Sequence, residues 1–492
     1  MMHLKLPVMH AYVIDKCEII TYNVIKGIGG MMSMLRRFNV KNVLSYYENE
    51  YGESEEFSLI PGKVRNKSDH LFEDKLNKLL KFSAIYGANA SGKSNLVKAL
   101  KMMQNITVNS DTLPYAEDYC KIKEDNKLKP SYFEMEIYLN GVCYDYGFEV
   151  ILSLNRFVSE WLVEKKTDNS EKVIFEREDE KVDISDDLNI DLDLKYKLEV
   201  LSEGLDSDQL FLYTLNKGRT ALYEKYPKIS LFKEVYDWIR DSLIIIFPNT
   251  HSRDYHYLRN SEDVKVVTSY LKAFKTGISD VAFEEVPLET IFKGLSERVR
   301  EDMLTNFNKV KIALNENIGD PKKYNMFLRT NNDFFIVEIT NDNMHCETIE
   351  FKHKFSDSKF HLYQESDGTI RLLDLLEVLI TKENKTFVID ELDRCLHPML
   401  TYKYIEEFLD KKAKKSLDQS QLIVTTHESR LMDFDLLRRD EIWFVDKNNT
   451  GRSNIYSLEE YNTRFDQKVD KAYLDGRYGG VPIFNSIFPV DK

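Results

Sequence analysis

The sequence predicts an α/β fold, and three observations predict it. Phe82-Ser83-Ala84-Ile85-Tyr86 is a short apolar run that leads into Gly87-Ala88-Asn89-Ala90-Ser91-Gly92-Lys93-Ser94. A helical pattern follows, with Leu96, Val97, Leu100 and Met103 on one face. Thr386-Phe387-Val388-Ile389 is a second apolar run and ends in Asp390-Glu391. Leu422-Ile423-Val424-Thr425-Thr426 is a third and ends in His427. Such short apolar runs read as buried strands.

The stretch Gly87 to Ser94 fits G-x-x-x-x-G-K-[ST]. Strand, glycine-rich loop and helix is the setting that a P-loop needs. Gly87 and Gly92 let the backbone wrap a phosphate, and the helix N-terminus adds partial positive charge. Lys93 would reach the β- and γ-phosphates of ATP, and the Ser94 hydroxyl would ligate Mg²⁺. A glycine turn that merely caps a helix is the plainer alternative, and the flanking strand and helix argue against it.

The whole chain bounds the rest. Its 492 residues exceed what one core usually holds, so two or three lobes are expected. Hydrophobic residues make up 42% and charged residues 30%, enough apolar matter for a large core. The net charge of −14 argues against a protein held to DNA by overall charge, although a local basic groove is compatible with it. The five cysteines, Cys17, Cys120, Cys143, Cys346 and Cys395, lie far apart with no C-x-x-C. They read as buried free thiols in a reducing cytoplasm. No apolar stretch reaches the roughly 18 residues of a membrane span, so no membrane association is expected.

Four segments are expected along the chain. Residues 1–33 form an N-terminal extension without signal-peptide order. Gly29-Gly30 ahead of Met31 and Met32 is encodable by a ribosome-binding sequence. The extension is therefore either native or an over-long reading of a chain that starts at Met31, Met32 or Met34. Residues 34–199 form an N-lobe with the P-loop and a β meander. Phe38 and Val40 mark one face of a first strand, and Ser45 to Leu59 reads as a hairpin. Residues 61–81 read as a loop plus a short helix. Phe133 to Leu139 alternates, Asn140-Gly141 signals a two-residue turn, and Val142 to Ile151 returns. Val158 to Val163, Ile174 to Arg177 and Val182 to Ile184 complete the meander.

Residues 200–322 read as a helical insert lobe. Leu231 to Phe247, Val264 to Phe274 and Ile291 to Leu314 show helical spacing, punctuated by Pro227, Pro248 and Pro287. Neither sustained heptads nor a 20–50-residue repeat is visible. Residues 323–492 form a C-lobe, with strands over 324–355 and then Ser366-Asp367-Gly368 opening a helix at Leu372 to Ile380. The Asp390-Glu391 and His427 strands follow.

The chemistry of nucleotide hydrolysis assigns roles to these ends. It needs Mg²⁺, an oriented water and charge stabilisation at the γ-phosphate. Asp390 can hold the Mg²⁺ shell beside Ser94, and Glu391 can polarise the water as general base. His427 can sense the γ-phosphate; a lone strand-end histidine is more often a satisfied polar residue, and the other motifs favour function here. Ser366 and Gly368 make a second anion site at a helix start, or a plain helix cap. About 270 residues separate Ser94 from Ser366 (366 − 94), so this site serves the same nucleotide in cis or one in a second copy.

The order of P-loop, long insert, Ser-x-Gly helix, Asp-Glu strand and strand-end His resembles the ABC-type ATPase heads of the SMC, RecF and OLD group. It is similar above all to the AAA/ABC-type ATPases of bacterial abortive-infection and phage-defence systems, including the ATPase half of OLD-family nucleases and the ATPase subunit of PARIS-type systems. The matching stretches are Phe38-Asn39-Val40-Lys41-Asn42-Val43-Leu44-Ser45, Tyr86 to Asn95, Ser366-Asp367-Gly368-Thr369, Asp390-Glu391 with Leu396-His397-Pro398, Thr426-His427, and the tail Tyr473-Leu474-Asp475-Gly476-Arg477-Tyr478-Gly479-Gly480-Val481-Pro482. The resemblance implies a P-loop ABC-type ATPase head. Gly87, Asn89, Gly92, Lys93, Ser94, Asn95, Ser366 and Gly368 would contact ATP, Ser94 and Asp390 would hold Mg²⁺, and Glu391 and His427 would be catalytic.

It also implies an ATP-sandwiched homodimer or higher oligomer, in which the Ser-x-Gly signature of one copy closes on ATP held by the other. A TOPRIM nuclease follows the ATPase in OLD-type proteins; the 65 residues after His427 (492 − 427) are too few for one. The expected function is therefore an ATPase that acts as sensor or scaffold for a separate effector, a nuclease, in anti-phage defence. DNA or a phage protein is a further candidate partner. The alternative is a RecF- or SMC-like DNA repair clamp. No Q-loop glutamine can be assigned, since Gln104 and Gln209 lack the right surroundings.

Overall fold

The computed structural model describes residues 32–49, 51–74, 77–110, 113–166, 170–188, 190–249, 261–293, 295–316, 323–329, 333–340, 343–381, 383–414, 420–461 and 469–480, with strands at 12–14 and 17–21. The chain divides into two compact units. One comprises residues 30–248, 383–393 and 401–492; the other comprises 1–29, 249–382 and 394–400. These units cut across the expected lobes. Residues 200–248 belong with the P-loop, while 249–382 join the other unit together with Ser366.

The P-loop unit is an α/β body with two large sheets and a two-stranded one among the described residues. Its central sheet runs Leu243–Ile246, Thr386–Ile389, Gln421–Thr425, Phe82–Tyr86, Ile442–Lys447, Ser453–Ser457. The first five strands are parallel and the last is antiparallel. All residues of the three motif-bearing strands are buried, which is why they read as continuous apolar runs rather than alternating ones. Parallel pairing brings Tyr86, Ile389 and Thr425 to one edge of the sheet, where open α/β sheets place their ligand crevices.

The strand Leu243–Ile246 corrects the helical expectation for Leu231 to Phe247. A helix Ser230–Asp237 ends in one wide turn, Trp238–Ser242, and the chain then extends beside Thr386–Ile389. Three consecutive isoleucines favour that extended backbone.

The second sheet of this unit is the expected meander. Its order is Lys181–Ile184, Glu171–Glu178, Arg156–Lys165, Val142–Ile151, Ser131–Leu139, Ser33–Lys41, Glu55–Ser58, with every pair antiparallel. Asn140 and Gly141 both take positive φ, 50° and 93°, as a two-residue hairpin turn of the primed kind requires. Residues 61–81 differ from expectation: a short 3₁₀ turn, Ser68–His70, leads into a hairpin of Leu71–Glu73 and Lys78–Leu80. One apolar cluster joins the meander to the flanking helices, with Phe148, Phe175, Phe211 and Phe232 among its rings.

Gln421 staples the two large sheets of this unit to each other and to the hairpin strand Lys78–Leu80. Its Oε1 accepts from Leu35 N–H (2.7 Å) and Thr386 Oγ1 (2.9 Å). Its Nε2 donates to the carbonyls of Leu35 (2.9 Å) and Leu80 (3.0 Å). The side chain is fully buried with all four hydrogen-bonding positions used.

The other unit is also α/β. Its antiparallel sheet runs Tyr12–Ile14, Cys17–Thr21, Lys323–Arg329, Phe334–Thr340, Met344–His353, Ile278–Glu285, with Lys359–His361 paired to Met344–His353. The long helix Glu297–Glu316 covers it, packing Met303, Phe307 and Val310 against Met326, Leu328 and Val337. The insert is thus not all helix, because Ile278–Glu285 is a strand of this sheet. The N-terminal extension contributes its two first strands. Among the described residues, Cys120, Cys143 and Cys346 are buried free thiols as expected, whereas Cys395 is exposed. No described helix is long and apolar enough to cross a membrane.

Candidate active site

Three strand ends of the P-loop unit build the site. The strand Phe82–Tyr86 runs into the loop Gly87–Gly92 and the helix Lys93–Val108. The loop is held from below by side chains that sequence reasoning missed. Tyr46 Oη donates to the Gly92 carbonyl (3.0 Å), and Ser453 Oγ donates to the Ser91 carbonyl (2.6 Å). Gly92 has φ +122°, and a Cβ there would lie 2.2 Å from Ser453 Oγ, so only glycine fits. Asn95 gives its amide to Ser45 Oγ (2.8 Å), which ties the helix start to the same scaffold. Asn89 is exposed at the loop tip.

Lys93 is buried and turned back on its own loop. Its Nζ donates to the carbonyls of Gly87 (2.7 Å) and Ala88 (3.1 Å). Burial pushes the ammonium down to about 8, against the pull of Asp390, Asp393 and Glu391. The Ser91 hydroxyl is buried and has no hydrogen-bond partner among the described residues.

Asp390 closes the site from the strand Thr386–Ile389, one strand removed from Phe82–Tyr86. Its N–H donates to Ile246 O (2.9 Å), which fixes the strand end. Its Oδ1 accepts from Ser94 Oγ (3.1 Å) and from Thr425 Oγ1 (2.6 Å). Thr425 Oγ1 also accepts the Glu391 N–H (2.8 Å), so one hydroxyl sets both acids. Glu391 is half-buried and takes φ +50°, a left-handed conformation at the strand end.

His427 ends the strand Gln421–Thr425 and its extension. Its N–H donates to Asp393 Oδ1 (3.2 Å). Although much of the side chain is open to solvent, the protein packed around the ring and the Lys93 ammonium lower its pKa, opposed by Asp393, Glu391 and Asp390. Asp393 was not legible as a site residue, yet it faces both Lys93 and His427. Gln104, the nearest glutamine in sequence, is used structurally: its Nε2 donates to Ile239 O (2.7 Å) and Leu243 O (2.6 Å).

The structure thus brings together Gly87, Gly92, Lys93, Ser94, Asp390, Glu391 and His427 at one sheet edge. Ser366 and Gly368 belong to the other unit. There Ser366 caps the helix Asp367–Ile380 through Thr369 N–H (3.2 Å). A Cβ on Gly368 would lie 2.8 Å from the Cys395 carbonyl, so the close backbone approach requires glycine. Ser366 and Asp367 are exposed.

The donor set fits a nucleotide with Mg²⁺. A hydroxyl and a carboxylate already share one hydrogen bond, as hard oxygen ligands of Mg²⁺ do, and a lysine stands on the phosphate loop. A family model described as "AAA domain, putative AbiEii toxin, Type IV TA system" matches residues 82–433, which is 352 of the 492 residues (433 − 82 + 1). The chain belongs to this AAA family. The match of the AAA chain begins at the P-loop strand and ends just past His427. No curated protein matches it.

Solved structures similar to the AAA chain include an Smc head bound to the C-winged helix domain of ScpA, at 14% identity, covering 87% of this chain and 99% of that one, with a TM-score of 0.36. An Smc head with an extended coiled coil bound to the C-terminal domain of ScpA, derived from Pyrococcus furiosus, is similar at 14% identity over 87% of this chain and 98% of that one, with a TM-score of 0.33. The SMC head domain from Thermotoga maritima is similar at 14% identity over 86% and 98%, with a TM-score of 0.31.

Proposed function

We propose that this chain binds and hydrolyses ATP, dimerises through it, and controls a separate effector in anti-phage defence. The observation that carries the reading is the convergence of Lys93, Ser94, Asp390, Glu391 and His427 on one edge of a parallel sheet. Lys93 and the loop N–H groups would bind the phosphates. Ser94 and Asp390 would hold Mg²⁺, which neutralises charge on the transferred phosphoryl group. Glu391 would accept the proton of the attacking water, and His427 would donate toward the γ-phosphate. Ser366 and Gly368, at an exposed helix start, would serve the ATP of a second copy, as in the ABC-type ATPases that the motif order resembles.

The defence role is supported by the family description, which names a toxin and a Type IV TA system. It is supported as well by the OLD- and PARIS-like motif order. The test is to express Glu391→Gln with the neighbouring genes and to weigh the purified complex with and without ATP. An assembly that forms only with ATP and carries a neighbouring protein supports the reading and identifies the effector. An ATP-dependent homodimer carrying only DNA overturns it in favour of a repair clamp.

A further inference from the structure

The C-terminal tail motif has no part in the chemistry above, yet the fold sets it against the first glycine of the phosphate loop. The short helix Val469–Leu474 packs on the 3₁₀ turn Ser429–Leu431, just past His427. Gly476 (φ +78°) ends that helix, and the chain doubles back through Tyr478 to Gly479 and Gly480. Gly480 (φ +67°) reaches the P-loop itself: a Cβ there would lie 3.4 Å from Gly87 Cα and 3.6 Å from Val445 O. Gly87 is more confined, because a Cβ on it would lie 2.2 Å from the same Val445 carbonyl. A side chain is excluded at Gly87, and the positive φ of Gly480 favours glycine there.

One hydroxyl holds the turn in place. Tyr473 Oη donates to Gly480 O (3.1 Å), and Gly480 lies against Gly87. The Tyr473 ring is fixed by stacking on Phe444 (5.5 Å, 19°), and Tyr478 stacks on Phe444 at 5.7 Å and the same angle. Tyr86, the residue before Gly87, lies 6.1 Å from the Tyr473 ring. Gly87 O in turn accepts from Lys93 Nζ. The tail thus packs against the residue whose carbonyl holds the phosphate-binding lysine.

We propose that Tyr473 is a positioning residue for nucleotide binding, its hydroxyl holding the Gly480 turn against Gly87 so that the P-loop is preorganised. The proposal rests on the ATP reading above. A loop held before the ligand arrives loses less freedom on binding, so the latch acts on affinity rather than on the proton transfer at Glu391.

The test compares Tyr473→Phe with wild type by titration of a fluorescent ATP analogue and by steady-state ATPase. The phenyl ring keeps the stacking, so the variant folds while the bond to Gly480 O is lost. Loss of one such hydrogen bond is expected to raise Kd and KM about three- to tenfold and to leave kcat within about twofold. Tyr478→Phe is the control, since that hydroxyl is buried in the same ring cluster without a partner among the described residues. It should leave Kd unchanged. An unchanged Kd in Tyr473→Phe, or an equal loss in Tyr478→Phe, overturns the latch alone. A wild-type protein that binds no analogue overturns the ATP reading and the latch with it.

Discussion

Ser94 Oγ donates to Asp390 Oδ1 at 3.1 Å across a separation of 296 residues. The hydroxyl at the start of the P-loop helix and the acid at the end of a different strand meet because their strands are parallel and separated by the single strand Gln421–Thr425. Thr425 on that intervening strand completes the arrangement. Thr425→Val removes a donor to Asp390 and an acceptor for Glu391 N–H with little change in shape. We expect kcat to fall about tenfold and stability to fall by about 1–3 kcal/mol in denaturant titrations. An unchanged kcat would exclude a positioning role for Thr425.

The pH dependence follows from the two perturbed groups. Lys93, pushed down to about 8, is charged at neutral pH and loses its proton as pH rises through that value. Nucleotide affinity should therefore weaken above about pH 8, up to tenfold per unit, when Kd is measured at fixed ionic strength. His427 is lowered from its ordinary value, first by burial and next by Lys93. The folded chain thus binds this proton less readily than the unfolded chain. Its contribution to stability is complete above about pH 6.5 and is lost as pH falls through the lowered pKa. In Lys93→Ala the His427 pKa should rise when followed by NMR; no rise would separate the two residues.

Mixed oligomers test the proposed second-copy contact. Lys93→Ala disables phosphate binding, and Ser366→Arg blocks the exposed helix start. Each alone should be inactive. If Ser366 serves the ATP of a partner copy, mixing the two should restore one working site per dimer and part of the ATPase rate. No recovery on mixing would contradict the trans arrangement.

Gln421→Met should cost about 3 kcal/mol in urea unfolding. Methionine fills the volume but strands the Leu35 N–H, the Thr386 hydroxyl and two carbonyls in the core. A loss below about 1 kcal/mol would mean that these groups find other partners.

Much of this site was legible in sequence because its ends are local. An apolar run, a glycine loop and an acid pair are each written in consecutive residues, and Asn140-Gly141 encodes its own turn. The rest depends on pairings that no local pattern carries. Ser45 and Ser453 bond across 408 residues beneath the P-loop; Ser45 ends a recognisable motif, but nothing in the neighbours of Ser453 points to the site. Thr425 reads as one more strand residue until its two hydrogen bonds are seen. The strand Leu243–Ile246 follows a helix after one wide turn, so its apolar spacing merges with the helical pattern. The second sheet in the insert was hidden for a related reason: Ile278–Glu285 buries only Ile278 and Val281 and so alternates weakly.

The central claim is hydrolysis of ATP at Lys93, Ser94, Asp390 and Glu391. The most direct measurement is phosphate release from ATP and Mg²⁺ by wild type, Lys93→Ala and Glu391→Gln, alongside nucleotide binding by each. The account predicts turnover by wild type, neither binding nor turnover by Lys93→Ala, and binding with at least about a hundredfold slower turnover by Glu391→Gln. Turnover by Lys93→Ala or Glu391→Gln at the wild-type rate would contradict it.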